Sequence, residues 1–504
     1  MKSKLTFSLS PVTLGLAAIT SASLVSLFVA SSNKIEALLM PFGPLTFSAL
    51  TIFSLLFVHD KAKRLILVSL YVATTIVGLL SMYQIPTGSM TSTVTLLIVV
   101  LPLLIGEILK AIKSKRESHI AFYSIMTFVV VSGLGITLWQ LVPHINESIL
   151  PLKVGWVITL DVLKNPKTAL AGVGAENFLG AFTKARPADI NLTPIWPVRF
   201  TTNANLLFHL AATYGLLGMG ASLLFLKSFF GSKMKNFLWF TALIAPPSLT
   251  VLIVLVLLLS QENNHHIILH LTNRSGRFIF VLISGIFCIG ALYGIGRVSA
   301  SELIFYQSLQ RARQHEGTAA YNLQIKAIQY NPNIARYHMI LSQTNMALAA
   351  STNDQKMIPQ LIQQAIFEAK RAVELAPSDV IAIENLARTY QQLIGVAQNA
   401  DNWTIASYQQ ALSLDPTNPM LSVDFGLVFV QLKKYPEAIT QFKRAIALKP
   451  DYANAYYNLG NAYKLSGDIN SAIAATKQAK TVIGTNAVDA SIISQQLEDL
   501  QKMQ

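Results

Sequence analysis

Four polar residues in an otherwise apolar stretch carry chemistry worth considering first: Arg186, Arg199, Asn205 and His209. The two arginines sit in a basic, proline-punctuated loop, as Arg186-Pro187 and as Trp196-Pro197-Val198-Arg199-Phe200. A guanidinium is planar and permanently charged, so a pair of them beside a bilayer can neutralise a lipid diphosphate through bidentate hydrogen bonds. The same groups can equally contact headgroups or cap carbonyls of their own loop. Asn205 and His209 lie one helical turn apart at the start of an apolar run, Asn205 to Leu226, and on a helix they share a face. An imidazole at the entrance of a membrane helix is a candidate proton carrier, or else a buried hydrogen-bonded side chain.

Other constellations are weaker. His265, His266 and His270 lie near Glu262, and the last two histidines have helical spacing, but no His-Glu-x-x-His pattern is present. They read as polar residues at a span end, and no metal site is expected. Gly172-Val173-Gly174 has neither a third glycine at dinucleotide spacing nor a Gly-Lys-Ser/Thr ending. Those glycines permit a tight turn after the amphipathic run from Trp156 to Leu163. The single cysteine, Cys288, lies in an apolar run, which excludes a disulfide framework. No cofactor is expected.

The elements that must hold these residues follow from hydropathy. The chain of 504 residues is 52% hydrophobic and 13% charged, a composition suited to lipid. Runs of spanning length, about 17–25 residues, fall near 11–31, 37–58, 65–83, 93–109, 120–142, 204–226, 237–260 and 278–296. The formal charge of +14 is concentrated in the apolar half: residues 1–300 hold 22 Lys/Arg against 9 Asp/Glu, and residues 301–504 hold 17 against 16. A basic excess restricted to the apolar half is charge sorting at a membrane, not a nucleic-acid footprint. With the N-terminus cytoplasmic, inner loops hold Lys61, Lys63, Arg64, Lys110, Lys113, Lys115, Arg116, Lys227, Lys233 and Lys235. Short outer loops hold only Lys34, Arg274 and Arg277. The long loop 143–203 is then outside, and by the same count the C-terminal half returns to the cytoplasm.

From Ser301 onward the pattern changes to a helical repeat. Phe425, Gly426 and Phe429 are followed by Ala438, Phe442, Ala445 and Pro450; Tyr456, Leu459, Gly460 and Tyr463 are followed by Ala472 and Ala479. Small residues at fixed places let paired helices approach, large ones fill the next gap, and proline ends the second helix. Pro332, Pro377 and Pro416 mark looser units, with insertions expected at 351–358 and 395–402, and residues 486–503 read as a capping helix. Over 419–484 this resembles the tetratricopeptide repeat, whose concave surface generally binds a protein or peptide. The alternative is an array that packs only on its own membrane domain.

The run from Trp156 through Gly172-Val173-Gly174, Arg186-Pro187, Trp196 and Arg199-Phe200 into Asn205-Leu206-Leu207 and Tyr214-Gly215-Leu216-Leu217-Gly218 resembles the outer loop and following helix of the O-antigen ligase and polymerase family. The resemblance covers about 70 residues closely and the rest of 1–300 in outline. It implies metal-independent glycosyl transfer at the outer face of a bacterial cytoplasmic membrane, from a polyprenyl-diphosphate-linked glycan. Arg186 would then bind the diphosphate with Arg199, and Asn205 would position substrate. The family's histidine before that asparagine is replaced here by Ala204; His209, one turn deeper, is the substitute candidate, placing Arg199 and His209 as the catalytic pair. The expected architecture is all-α: a polytopic bundle of about eight spans over 1–300 with outer loop 143–203, and a repeat solenoid over 301–504. The competing expectation is a catalytically inactive, membrane-anchored scaffold whose repeats recruit a protein partner.

Overall fold

The computed structural model describes residues 5–40, 42–56, 60–83, 90–142, 149–231, 246–249, 252–253, 255–256, 259, 267–271, 274–483 and 487–503. Helices dominate, in keeping with the all-α expectation. The exception among the described residues is one antiparallel ladder of β1 (Leu5–Leu9) with β2 (Ile267–Leu271), in which Leu5 pairs with Leu271 and Leu9 with Ile267.

In chain order β1 is followed by α1 (Pro11–Val29), α2 (Lys34–Leu39), α3 (Pro44–Leu56), α4 (Asp60–Met82), α5 (Met90–Lys113) and α6 (Glu117–Leu141). Next come α7 (Leu152–Lys164), α8 (Pro166–Ala171), α9 (Phe178–Ala185) and α10 (Leu206–Lys227), then β2 and α11 (Arg274–Arg313). The rest is a series of helices: α12 (Gly317–Tyr330), α13 (Ala335–Ser351), α14 (Met357–Leu375), α15 (Val380–Gln391), α16 (Ala400–Leu414), α17 (Pro419–Gln431), α18 (Tyr435–Leu448), α19 (Ala453–Leu465), α20 (Ile469–Ile483) and α21 (Ala487–Gln501).

Five stretches among the described residues are long and apolar enough to cross a membrane: Pro11–Val29, Lys34–Ile52, Thr93–Lys113, Glu117–Leu141 and Leu206–Phe230. The second is divided between α2 and α3. The expected span 65–83 lies in α4, whose apolar part, Leu67–Met82, is shorter. The expected span 278–296 lies within α11. The expected span 237–260 falls mostly outside the described residues, and Pro246, Pro247 and Ser248 within it are non-helical.

The chain divides into two compact units: Met1–Phe178 with Phe200–Gly296, and Leu179–Arg199 with Arg297–Gln504. The second unit includes Leu179–Arg199, a piece of the expected outer loop.

In the first unit Val12, Leu16 and Ile19 of α1, Phe47 of α3, and Leu210, Tyr214 and Phe225 of α10 form the centre of a buried apolar cluster. α10 is kinked at Gly215, which has φ 64° and ψ −151°. The Gly172–Gly174 turn answers that kink: the Val173 and Gly174 amides donate to the Ala212 and Thr213 carbonyls at 3.1 and 3.0 Å, and Ser26 Oγ donates to the Thr213 carbonyl at 3.1 Å. Gly172 and Gly174 have φ of 75° and 95°, a region that L side chains rarely enter. The tight turn expected of this motif is present, and its amides serve carbonyls of a broken helix.

The second unit stacks helix pairs: the part of α11 from Ser301 with α12, α13 with α14, α15 with α16, α17 with α18, and α19 with α20. α21 closes the last pair, burying Leu500 with Ala472 and Ile473. The two expected insertions are the longer turns inside pairs, at 352–356 and 392–399. Gly426 shows why a small residue is needed where paired helices cross, since a Cβ there would lie 2.5 Å from the Phe442 ring. Phe442 is fully buried and has nowhere to retreat. Gly426→Val is expected to destabilise the repeats by about 1–3 kcal/mol, the usual cost of overpacking, read as a lowered Tm of the full chain in detergent.

Candidate functional site

Arg199 ends the segment Leu179–Arg199, and its guanidinium is held by the repeats. Nη2 donates to Glu384 Oε1 at 2.5 Å and to Asp415 Oδ2 at 3.1 Å, while Nη1 donates to Glu384 Oε2 at 3.1 Å. This is a forked, bidentate carboxylate pairing with a second carboxylate behind it. Asp415 is fully buried, and Asn418 Nδ2 donates to its Oδ2 at 2.8 Å. Burial opposes the charge on Arg199, but the hydrogen bond and field of Glu384, with Asp415, outweigh it and raise the guanidinium above its ordinary range.

Arg186 is buried too, only 3% exposed, and it donates to Asn191 Oδ1. Burial lowers its pKa, Asp415 partly offsets this, and Arg199 adds to the lowering. Asn191 is the hinge of the arrangement. Its Nδ2 donates to the Thr417 carbonyl at 2.8 Å and the Leu448 carbonyl at 3.1 Å, and its own carbonyl accepts from Lys449 Nζ at 2.8 Å. Thr417 Oγ1 donates to the Arg186 carbonyl at 3.2 Å. Further along, Trp196 packs edge-on to Tyr452 with centroids 5.1 Å apart, and the Lys449 ammonium lies 5.0 Å from the Trp196 centroid.

The partners of this segment recur at successive junctions between helix pairs. Gly180 approaches Ser378 at the α14–α15 turn so closely that a Cβ would lie 2.7 Å from the Ser378 carbonyl oxygen. Arg186, Asn191 and Arg199 use Asp415 and Thr417 at the α16–α17 turn, and Asn191 and Trp196 use Leu448, Lys449 and Tyr452 at the α18–α19 turn. A turn that follows the second helix of a pair leaves terminal carbonyls without an intrahelical partner. Those at Thr417 and Leu448 are partnered here by Asn191. The segment therefore lies along a row of equivalent sites generated by the repeat.

Asn205 and His209 belong to the other unit. Asn205 is the N-cap of α10, accepting from the Phe208 amide at 2.9 Å. His209 is 3% exposed, with its ring edge-on to Phe42 and Phe178 at centroid distances of 5.2 and 5.5 Å. Its Nδ1 accepts from the Asn203 amide at 3.4 Å. Ala204 is buried, and its amide donates to Asn203 Oδ1 at 2.7 Å. Thus the structure brings Arg186 and Arg199 into one unit and Asn205 and His209 into the other. His265, His266 and Glu262 lie outside the described residues, and His270 is in β2. No group of three or more potential metal ligands occurs among the described residues.

Sequence reasoning did not single out Glu384, Asp415, Asn191 or Lys449. The one available signal was their position, since Asp415 and Lys449 each precede the proline that ends a repeat unit. Among the open cavities of the array are one of about 480 Å³ and one of about 350 Å³. Gln391, Asp424 and Gln431 line the first, Gln343, Met346 and Asn385 the second, and Arg388 and Gln392 both. Burial raises the pKa of Asp424, against the pull of Arg388, whose Nη2 donates to it at 2.9 Å.

Stacked, two-helix units with small residues at the crossing and polar amides along one face define an α-solenoid of the protein-interaction type. The comparisons name the unit: a family model described as TPR repeat matches residues 426–475. The chain thus contains a tetratricopeptide repeat domain that includes residues 426–475. The human protein "Tetratricopeptide repeat protein 13" is 30% identical over 105 residues, covering 20% of this chain and 11% of that protein. The Dictyostelium discoideum "Protein STIP1 homolog" is 38% identical over 65 residues, covering 13% of this chain and 12% of that protein. The chain thus spans only a small part of the length of these relatives. Among solved structures, that of the MamA protein has 20% identity and a TM-score of 0.30, covering 36% of this chain and 91% of that one.

Proposed function

We propose that this chain is a bacterial membrane-anchored tetratricopeptide scaffold, in which residues 1–300 resemble an O-antigen ligase but serve as an anchor without catalytic activity. The observation that carries the reading is the pairing of Arg199 with Glu384 and Asp415. A guanidinium already neutralised by two carboxylates has no free charge for a diphosphate. Arg186 is buried against Asn191, and His209 is enclosed by Phe42 and Phe178. Ala204, in place of the family's histidine, supplies no base. The remaining polar face, with Asn385, Gln391, Gln392 and Gln431, is suited to an extended polypeptide, because amide side chains can both donate to and accept from a peptide backbone. Neither a metal nor a cofactor is required.

The competing reading is a ligase that moves a glycan from a polyprenyl diphosphate, supported by the loop pattern from Trp156 to Gly218. Two measurements separate them. A photo-crosslinking amino acid at Gln392 is expected to form polypeptide adducts in membranes, while the same group at the exposed Lys370 on α14 does not. The purified protein is expected to leave a labelled polyprenyl-diphosphate oligosaccharide untransferred. Turnover that Arg199→Ala abolishes would overturn the scaffold and establish the ligase.

A further inference from the structure

We infer that the repeat array lies on the same face of the membrane as the loop 143–203. The inference rests on the membrane reading above but on neither activity. It is opposite to the side expected from eight complete crossings.

Two independent observations lead to it. The first is the composition of the second unit. Leu179–Arg199 comes from the long loop, and its partners Ser378, Asp415, Thr417, Leu448 and Lys449 all belong to the repeats. Groups that exchange buried hydrogen bonds are in one compartment. A bilayer between them would require ion pairs through hydrocarbon, which no side chain can span.

The second observation does not involve that segment at all. β1 directly precedes α1, and β2 directly precedes α11, and the two strands pair in register from Leu5–Leu271 to Leu9–Ile267. A ladder places both strands on the same side, so α11 begins where α1 begins. Five expected spans separate the N-terminus from the loop 143–203, an odd number, so the loop faces the opposite side. A single crossing by α11, from β2 to the repeats, carries the chain to that opposite side as well. Both routes give the same compartment.

Parity then requires an even number of crossings between Phe200 and Arg297. α10 and α11 supply two. The arrangement also places Arg274 and Arg277 on the inner side, in line with the positive-inside rule.

The test uses full-length protein in intact cells, with Cys288→Ser as background and a membrane-impermeant maleimide as probe. Single cysteines replace three exposed residues: Asp189 in the loop segment, Glu437 in the repeats, and Ser118 in the first turn of α6. Asp189→Cys and Glu437→Cys are expected to label before permeabilisation, and Ser118→Cys only after it. Labelling of Glu437→Cys together with Ser118→Cys, and opposite to Asp189→Cys, overturns the inference while leaving the membrane anchor intact. Recovery of the protein in the soluble fraction after carbonate extraction overturns both.

Discussion

Arg199→Ala is expected to free the Leu179–Arg199 segment from the repeats and to cost about 3–5 kcal/mol, the usual penalty for removing one partner of a buried ion pair. The magnitude follows from what is left behind. Asp415 is fully buried and Glu384 nearly so, and without the guanidinium both carboxylates stay desolvated with their charges unopposed. Arg199→Lys retains the charge but not the fork, so it should restore only part of the loss. Charge reversal is the sharper version. Arg199→Glu places three carboxylates together and should be worse than Arg199→Ala, whereas adding Glu384→Arg recovers part of the loss because Asp415 still faces a like charge. Limited proteolysis within 179–199 and thermal unfolding of the detergent-solubilised chain report the two consequences separately. Unchanged protease resistance in Arg199→Ala would mean that Asn191, Lys449 and Trp196 hold the segment by themselves.

Gly172→Ala and Gly215→Ala are each expected to cost roughly 2–4 kcal/mol, combining a disfavoured positive φ with overpacking. A Cβ on Gly172 would lie 2.2 Å from the Thr213 carbonyl carbon, and one on Gly215 would lie 2.5 Å from the Ala169 carbonyl oxygen. In both cases the obstacle is backbone, which cannot rotate aside as a side chain can. The two positions meet each other, since a Cβ on Gly215 also approaches the Gly172 amide to 2.7 Å. The double variant should therefore cost less than the sum of the singles. The same unfolding measurement decides it: a Tm equal to that of the parent protein would show that the kink in α10 relaxes without penalty. Gly220→Ala is the control, because a Cβ at that position meets nothing within 4 Å.

The two expectations of the sequence for its arginines differ in kind from its expectations for helices. Spans and repeats depend on apolar spacing within one or two turns, so the stretches 11–31, 120–142 and 204–226 and the small and large positions of the repeats follow from local pattern. Even the turn at Gly172-Val173-Gly174 was readable, because glycine at a turn has a local cause. What the turn is for was not. The carbonyls of Ala212 and Thr213 become available only once α10 bends at Gly215, far along the chain from the turn.

Sequence by itself therefore determined much of the helical pattern, the repeat period of the C-terminal half and the presence of two fixed cations in a long loop. Only the tertiary structure decided where those cations go. Arg199 meets Glu384 across 185 residues of chain and Asp415 across 216. A charge shows no preference among distant carboxylates until folding removes water from around one of them. The reading of Arg186 and Arg199 as free ligands and the reading of them as internal ties are identical in local pattern. Burial against the repeat turns is what tells the two apart.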